Sequence, residues 1–380
     1  MNGGPRDAQH GTRAATRAAI PGPDQDLVND ERQTTAVIGS AGGRRRSLRA
    51  GGRRRHGPGA EVVVPDAEFT SYYGRPIVKA APWGADIPAY LFSGGLAAGS
   101  ALVAAGADLT GRPHLRRTSR LGALAALAFS GAALVHDLGK PSRFLNMLRV
   151  AKLTSPMSVG TWILTAYAPG AGVAGLAEIL EMLPTQRRRG ALGRLSRLAT
   201  RASRPAGLCA AAFGPPLAAY TAVLLSDTAT PSWHEAYKEL PFVFVGSAAA
   251  ASAGLGLLGA PVSETGPVRR LAVGGALLEL VAEHRMEHSM GITAEPLRQG
   301  KAGRLMTAAK VLTAAGAVGA ALSGRSRALG VVSGAALMAG SACTRFGVFE
   351  AGLASAHDPK YTVVPQRERL EREGPVRYEE

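Results

Sequence analysis

The chain contains only two cysteines, Cys209 and Cys343, and neither lies in a Cys-x-x-Cys motif. A four-cysteine iron–sulfur cluster therefore cannot form within this chain alone. No two histidines are placed as a facing pair deep in an apolar segment, so we expect no haem. His284 and His288 have the i, i+4 spacing of a zinc pair but lack further ligands, and we expect no metal site. A chain that handled electrons would depend on a partner for its redox centres.

Hydrophobic residues make up 46% of the chain, and long stretches of it contain almost no charged residues. Stretches of ~18 or more apolar residues are long enough to cross a bilayer, and abundant glycine and alanine suit close helix packing in lipid. Proline, glycine and charge separate eight such windows, of which the second and the sixth are short. We predict an all-α integral membrane protein with about eight transmembrane helices, over Ile87–Leu109, Ser119–Val135, Ser155–Leu183, Pro205–Ser226, Leu240–Ala260, Val268–Ala282, Ala302–Leu322 and Ala328–Ala354.

The two ends of the chain differ from the apolar part. The first 71 residues lack a periodic apolar face and contain the arginine-rich run 42–57. We predict a disordered basic tail over 1–71, a transmembrane bundle over 72–358 and a polar C-terminal tail over 359–380. Arginine clusters can contact nucleic acid, but beside a membrane bundle they contact anionic lipid or have no role, so we expect the lipid bilayer and no nucleic acid as partner.

Arginines are concentrated in the loops after the odd-numbered windows, notably at 112–120 and 187–204. Short basic loops face the cytoplasm, which predicts outward-facing termini in a multi-pass protein of the plasma membrane. The arginine-rich tail indicates the opposite orientation, because its translocation would be unfavourable.

The starts of odd-numbered helices and the ends of even-numbered helices must lie at one membrane face, whatever the orientation. That face, here the site face, receives most of the unusual chemistry, whereas the opposite face carries mainly arginine. Charge beside apolar segments is costly and marks a site for protons, ions or polar headgroups. The candidate residues at or near the site face are Asp86, Tyr90, His136, Asp137, Lys140, Arg143, Tyr220 and Glu279.

Tyr220 and Glu279 should lie a turn or more inside their helices. A phenol that donates to a carbonyl and a carboxylate that accepts a proton are what a quinone pocket needs, since oxidation of a quinol releases two protons with two electrons. Pro215 and Pro216 should kink the helix beside Tyr220. Structural roles also remain open: Tyr220 as a helix contact, and the charges around Asp137 as a helix cap.

Three segments resemble a known family. They are YYGRPIVKAAPWGADIPAYLFSGGLAAGSAL from residue 72, HDLGKPSRFLNMLRVAKLTSPMSVGTW from residue 136 and RFGVFEAGLASAHDPKYTVVPQRER from residue 345. Together they are similar to the NrfD/PsrC family, the polysulfide reductase-type membrane subunits of complex iron–sulfur molybdoenzymes. The resemblance covers roughly 72–369, and the Asp-Leu-Gly-Lys-Pro turn followed by Thr-Ser-Pro-Met-Ser is its most specific part.

The resemblance implies an eight-helix anchor that binds menaquinone or menaquinol near one face. A ferredoxin-like iron–sulfur subunit would dock there and exchange electrons with a molybdopterin catalytic subunit, of the formate dehydrogenase or the polysulfide, thiosulfate or tetrathionate reductase type. The chain would not be catalytic in isolation. Asp137, Lys140 and Arg143 match the family's Asp-Leu-Gly-Arg/Lys-Pro segment.

The same resemblance suggests the quinone contacts. Tyr220 stands where a quinone-contacting tyrosine is expected, whereas the first-helix histidine of some members is absent and Asp86 and Tyr90 stand in that region instead. We expect the quinone between the first four helices, hydrogen-bonded by Tyr220 and His136. Asp137 and Glu279 would relay protons to the adjacent aqueous side. The alternatives are a proton-coupled transporter and a structural anchor without a quinone site.

Overall fold

A computed structural model describes residues 75–137, 140, 142, 146, 148–184 and 190–373. The predicted basic tail over 1–71 and the candidate residue Arg143 lie outside the described residues. Every regular element in the described part is helical, which confirms the all-α prediction.

Eight long helices correspond to the eight predicted windows. Seven of them, all but the sixth, are long and apolar enough to cross a membrane by length and composition alone. The sixth has 24 residues but carries more charge than the others. The helices are α1 (Asp86–Leu109), α2 (Pro113–Asp137), α3 (Pro156–Met182), α4 (Gly190–Ser226), α5 (Leu240–Gly259), α6 (Gly266–Ser289), α7 (Gly300–Leu322) and α8 (Arg327–His357).

Local sequence signals explain several helix boundaries. Pro113 and Pro156 open α2 and α3, at the position where the missing N–H of proline costs nothing. Gly111, with a φ of 66°, forms the tight turn between α1 and α2 that a residue with a side chain would adopt with strain. Ser326 caps α8, since its hydroxyl accepts a hydrogen bond from the backbone N–H of Leu329.

Helix α4 is longer than its predicted window. The prediction began at Pro205 because arginines were taken as a boundary, whereas the helix begins at Gly190 and has 37 residues. The added segment is held on the bundle by Ala199, which packs with Ala177 and Leu180 of α3. Pro205, Pro215 and Pro216 all lie inside this one helix.

Small residues let the helices approach closely. A Cβ atom at Gly246 of α5 would lie 2.8 Å from the carbonyl oxygen of Gly275 in α6, and a Cβ at Gly275 would lie 2.9 Å from that of Gly246. The two backbones therefore touch, as expected for glycine pairs in membrane helices. This contact sets the position of the carboxylates farther along α6.

The segment that follows α8 is also helical. Helix α9 (Lys360–Glu373) lies in the region predicted as a polar tail. It is fixed near the short helical segment Gly291–Arg298 by Lys360, whose Nζ lies 3.0 Å from Glu295 Oε2. Another short helix, Pro231–Glu235, lies between α4 and α5.

Candidate functional site

Side-chain contacts join the helix ends that were predicted to share the site face. His136 Nδ1 at the end of α2 lies 3.0 Å from Asp86 Oδ2 at the start of α1. The rings of Trp83 and Trp233 are stacked, with centroids 5.8 Å apart. The Trp233 indole N–H donates to the carbonyl oxygen of Val348 in α8, at 2.8 Å. These contacts give the site face a fixed geometry.

The outer part of the site face is an acid–base cluster open to solvent. The side chains of Asp86 and His136 are 45% and 80% exposed, so their pair can exchange protons with water. Asp137, the next residue, is half-buried, and Lys140 is exposed. The structure thus brings Asp86, His136 and Asp137 together at one edge of the bundle.

Tyr220 lies deeper, between α3 and α4. Its ring packs directly over Gly160, where a Cβ atom would overlap the ring. The same apolar cluster includes Ile87 of α1 and Leu134 of α2, so Tyr220 is connected to the helix ends that carry the acid–base pair. Tyr90 is buried in this cluster. Neither tyrosine hydroxyl makes a hydrogen bond to a described residue, which leaves both able to bind a ligand.

A second, fully buried group of charges lies among α5, α6 and α8. Glu279 and Arg345 are each 1% exposed. The Thr344 hydroxyl donates to Glu279 Oε1 at 2.6 Å, and Arg345 Nη2 donates to the Phe244 carbonyl oxygen at 2.7 Å. The guanidinium carbon also lies 3.6 Å from the centroid of the Phe244 ring, a favourable cation–π arrangement.

Several atoms of this buried group make no hydrogen bond to any described residue. They are Glu279 Oε2, Arg345 Nε and Arg345 Nη1. Buried polar atoms are normally paired, and unpaired ones are found where water, a proton or a ligand is handled. Glu279 is therefore a candidate for proton transfer.

A column of carboxylates links this buried group to the site face. Glu279, Glu283 and Glu287 follow one another at intervals of four residues, which places them on one side of α6. Glu283 is fully buried, and Lys310 Nζ of α7 lies 3.5 Å from its Oε1. The same ammonium group lies 2.6 Å from Glu287 Oε1, and Arg298 Nε lies 3.0 Å from Glu287 Oε2 near the end of the helix.

The predicted site residues thus divide into separate regions. Asp86, His136 and Asp137 lie at the end of the bundle, whereas Glu279 lies ten residues before the end of α6. No hydrogen bond or ion pair joins Asp137 to Glu279 among the described residues.

The candidate residues chosen from the sequence did not include three charged residues that lie around Glu279 in the structure: Glu283, Lys310 and Arg345. The i, i+4, i+8 spacing of the α6 glutamates could have identified the first. A single arginine within the apolar window of α8 could have identified the last.

The face opposite the site face, called the arginine face, contains carboxylates in addition to the predicted arginines. Arg116 Nε and Arg120 Nη1 lie 2.8 and 3.1 Å from Glu178 Oε1, and both arginines also lie within 4 Å of a carboxylate oxygen of Asp108. The prediction overlooked these carboxylates because it counted only loop arginines. Arginines that enter a helix bundle need buried counter-charges, and Glu178 is fully buried among them.

These features define a multi-pass helical membrane protein with ionisable groups at one face and in its interior. Residues 77–263 match the family described as polysulphide reductase, NrfD. The chain belongs to the NrfD family, which confirms the resemblance, and it is a membrane subunit of the kind found in iron–sulfur molybdoenzyme complexes. The match covers α1–α5, whereas α6–α8 follow it. No curated protein matches the chain.

Proposed function

We propose that this chain is the quinone-binding anchor of a multi-subunit oxidoreductase in the plasma membrane. It would exchange electrons between menaquinol or menaquinone and a ferredoxin-like iron–sulfur subunit docked at the site face. A molybdopterin subunit, of the formate dehydrogenase or the polysulfide, thiosulfate or tetrathionate reductase type, would carry the catalytic centre. The observation that carries this proposal is that the protonatable pair Asp86–His136 borders the apolar cluster of Tyr220, whose hydroxyl makes no hydrogen bond to a described residue.

The residues present suit a quinone headgroup. Tyr220 offers a hydroxyl donor in apolar surroundings formed by α1–α4, where a carbonyl oxygen is a good acceptor. His136 and Asp86 lie at the aqueous edge, where a proton released from a quinol hydroxyl can pass to an imidazole and then to water. Asp137 is the neighbouring carboxylate that would take part in the same transfer.

The α6 column would provide a second route for protons. Glu279 lies about 15 Å, or ten residues, inside the site-face end of its helix. Glu283 and Glu287 lie one and two turns nearer the surface, beside Lys310. A proton held on Glu279 could pass along these carboxylates to the surface. This column would give the relay role proposed for Glu279 a path to the aqueous side.

A proton-coupled transporter is the second candidate, and the burial of both Glu279 and Arg345 is the observation that favours it. Buried ionisable residues midway along membrane helices are typical of substrate and proton sites in transporters. Such a transporter would have no need of an iron–sulfur partner, which separates the two candidates experimentally.

The first test is an affinity purification of the tagged chain in mild detergent, with mass spectrometry of co-purified proteins and extraction of bound quinone. We expect an iron–sulfur subunit, a molybdopterin subunit and menaquinone. Recovery of the chain alone without quinone would favour transport. Recovery of the complex without quinone would favour a structural anchor.

The second test is Asp137→Asn in the same complex. We expect loss of quinone-linked turnover with unchanged assembly, because the amide cannot accept the proton. Asp227→Asn is the control, since Asp227 is a carboxylate just past the end of α4 at the same face, although it is exposed whereas Asp137 is half-buried. Loss of assembly in Asp137→Asn would instead assign Asp137 a structural role.

A further inference from the structure

The arginine face contains a cavity that the proposed electron transfer does not use. The cavity has a volume of about 540 Å³ and lies where α2, α3 and the added segment of α4 meet. It is lined by Arg117, Glu181, Ser196, Arg197, Thr200 and Arg201. Three guanidinium groups and two hydroxyl groups therefore surround one carboxylate.

Among the described residues, carboxylates balance only part of the positive charge of this cavity. Arg117 Nε lies 3.5 Å from Glu178 Oε2. Glu181 is engaged by other groups, since the Thr200 hydroxyl donates to its Oε1 at 3.2 Å and Arg116 Nη2 lies 3.8 Å from its Oε2. Arg197 and Arg201 have no carboxylate within 4 Å among the described residues. Two arginines that point into a shared cavity without a counter-charge are suited to an anion such as a phosphate, which guanidinium groups bind through paired hydrogen bonds.

Exposed apolar side chains lie beside the same arginines. Leu195 and Leu198 of α4 are 45% and 66% exposed, and they lie within two residues of Arg197. Next to Glu181, the exposed residues Ile179 and Met182 continue this apolar surface along α3. A helix that exposes leucine and arginine together is typical of a membrane interface, where leucine contacts acyl chains and arginine contacts headgroups.

We propose that this cavity binds the phosphate headgroup of an anionic phospholipid, with the acyl chains along the apolar surface of α3 and α4. Arg197 and Arg201 hold the phosphate, the Ser196 and Thr200 hydroxyl groups donate to it, and Arg117, which also contacts Glu178, borders it. The bound lipid fills the contact between α2, α3 and α4 and holds the added segment of α4 at the bilayer surface. A soluble phosphate would use the same arginines but would gain nothing from Leu195 and Leu198.

The test uses the full chain, purified in mild detergent and stripped of lipid. Phosphatidylglycerol, phosphatidylcholine and inorganic phosphate are added separately, and bound lipid is counted by native mass spectrometry while the Tm is recorded. We expect phosphatidylglycerol alone to bind and to raise the Tm. Arg197→Gln with Arg201→Gln should weaken this binding roughly 30-fold, since each arginine near the surface of an anionic membrane contributes about a fivefold factor.

Arg270→Gln with Arg325→Gln is the matched control, because these two arginines are also exposed on the arginine face but lie outside the cavity. The control should bind phosphatidylglycerol as the unsubstituted chain does. An equal loss in the control would overturn the proposal in favour of nonspecific attraction to a basic surface. A Tm rise with inorganic phosphate equal to that with phosphatidylglycerol would overturn the lipid assignment. Should the double variant not fold, Arg201→Gln alone must weaken binding roughly fivefold for the proposal to stand.

Discussion

Gly160 shows how one missing side chain shapes the candidate quinone site. It lies near the start of α3, and the space that a Cβ would fill is occupied by the ring of Tyr220. Tyr220 is thereby held between α3 and α4 with its hydroxyl free of described partners. The orientation of this tyrosine depends on a glycine 60 positions away in the sequence.

Gly160→Ala should displace the Tyr220 ring and destabilise the protein by about 1–3 kcal/mol, because the new methyl group overpacks a filled contact. The measurement is thermal unfolding in detergent. Gly172→Ala in the same helix is the control, since nothing lies within 4 Å of a Cβ there. The control should be neutral or slightly more stable, as alanine favours helix over glycine. Equal Tm values for the two variants would contradict the contact.

The burial and contacts of Arg345 determine how much this one charge contributes to stability. Arg345 is fully buried and contacts the Phe244 ring and carbonyl oxygen, and its charge interacts with the carboxylate of Glu279, to which it makes no hydrogen bond. Removing one member of a buried charge group leaves the other without compensation.

Arg345→Gln should therefore lower the stability by about 3 kcal/mol or more, and adding Glu279→Gln should restore part of that loss. Thermal unfolding of the two single variants and the double variant gives the coupling. Arg304→Gln, at an exposed position of α7, should have little effect. If the two losses simply add, the charges do not interact and the buried group is not a functional unit.

At the scale of whole helices, α9 is attached through its first turn, where Tyr361 is buried and polar contacts reach Glu295. Glu295 Oε2 lies 3.0 Å from Lys360 Nζ and accepts from the Tyr361 hydroxyl at 3.3 Å. The hydrogen bond from Lys360 lowers the pKa of Glu295 below its usual value. Partial burial alone would lower the pKa of Lys360, but the hydrogen bond to Glu295 and the other favourable contacts outweigh it and raise that pKa.

These shifts predict how the attachment of α9 depends on pH. Because the carboxyl pKa of Glu295 is lowered on folding, its contact stabilises the fold fully above about pH 4.3. This stabilisation is lost as the pH falls through the lower pKa of the folded state. Because the pKa of Lys360 is raised on folding, its contact stabilises the fold fully below about pH 10.4. This stabilisation is lost as the pH rises through the higher pKa of the folded state. The attachment should therefore be constant between about pH 5 and pH 9 and weaken in acid.

Hydrogen exchange of α9, corrected for intrinsic rates, measures this attachment. Glu295→Gln should accelerate exchange roughly twofold at neutral pH, a modest effect because both side chains are more than a third exposed. Glu371→Gln, within α9 but away from Glu295, should leave exchange unchanged. Faster exchange in the Glu371 variant would mean that α9 is held by its overall charge rather than by this contact.

Helix length and interior charge are where sequence reasoning and structure differ most. The α4 window was cut at Pro205 because arginines usually mark loops, yet Ala199 provides enough packing against α3 to continue the helix. The end of α6 was placed at Ala282, whereas the helix runs to Ser289 because Lys310 and Arg298 neutralise Glu287.

Across the whole molecule, apolar windows and chain parity were sufficient to predict which helix ends meet. The contact between Asp86 and His136 follows from that parity, since both lie at ends that must share a face. Side-chain depth and partners could not be predicted in the same way. The pairing of Glu178 with Arg116 and Arg120 depends on how α2 and α3 pack against each other. No repeating pattern in the sequence predicts that packing.

The charge difference between the two faces predicts the direction of insertion. The arginine face carries Arg116 and Arg327 at or near helix ends and Arg204 within the first half of α4, in addition to the cavity arginines. Short basic loops remain on the cytoplasmic side, so the site face should lie outside. Partner subunits at the site face would then also lie outside, which makes the orientation decisive for the assembly.

Two single cysteines test this orientation in whole cells. Ser263→Cys, between α5 and α6 on the arginine face, should be protected from a membrane-impermeant maleimide and become labelled only after the cells are opened. Lys238→Cys, between α4 and α5 on the site face, should be labelled in intact cells, because its side chain is exposed. The unsubstituted chain gives the background, since Cys209 and Cys343 lie inside α4 and α8. The reverse labelling pattern would place the site face in the cytoplasm, and the loop arginines would then have to be anchored by Glu178 and Asp108 rather than by membrane topology.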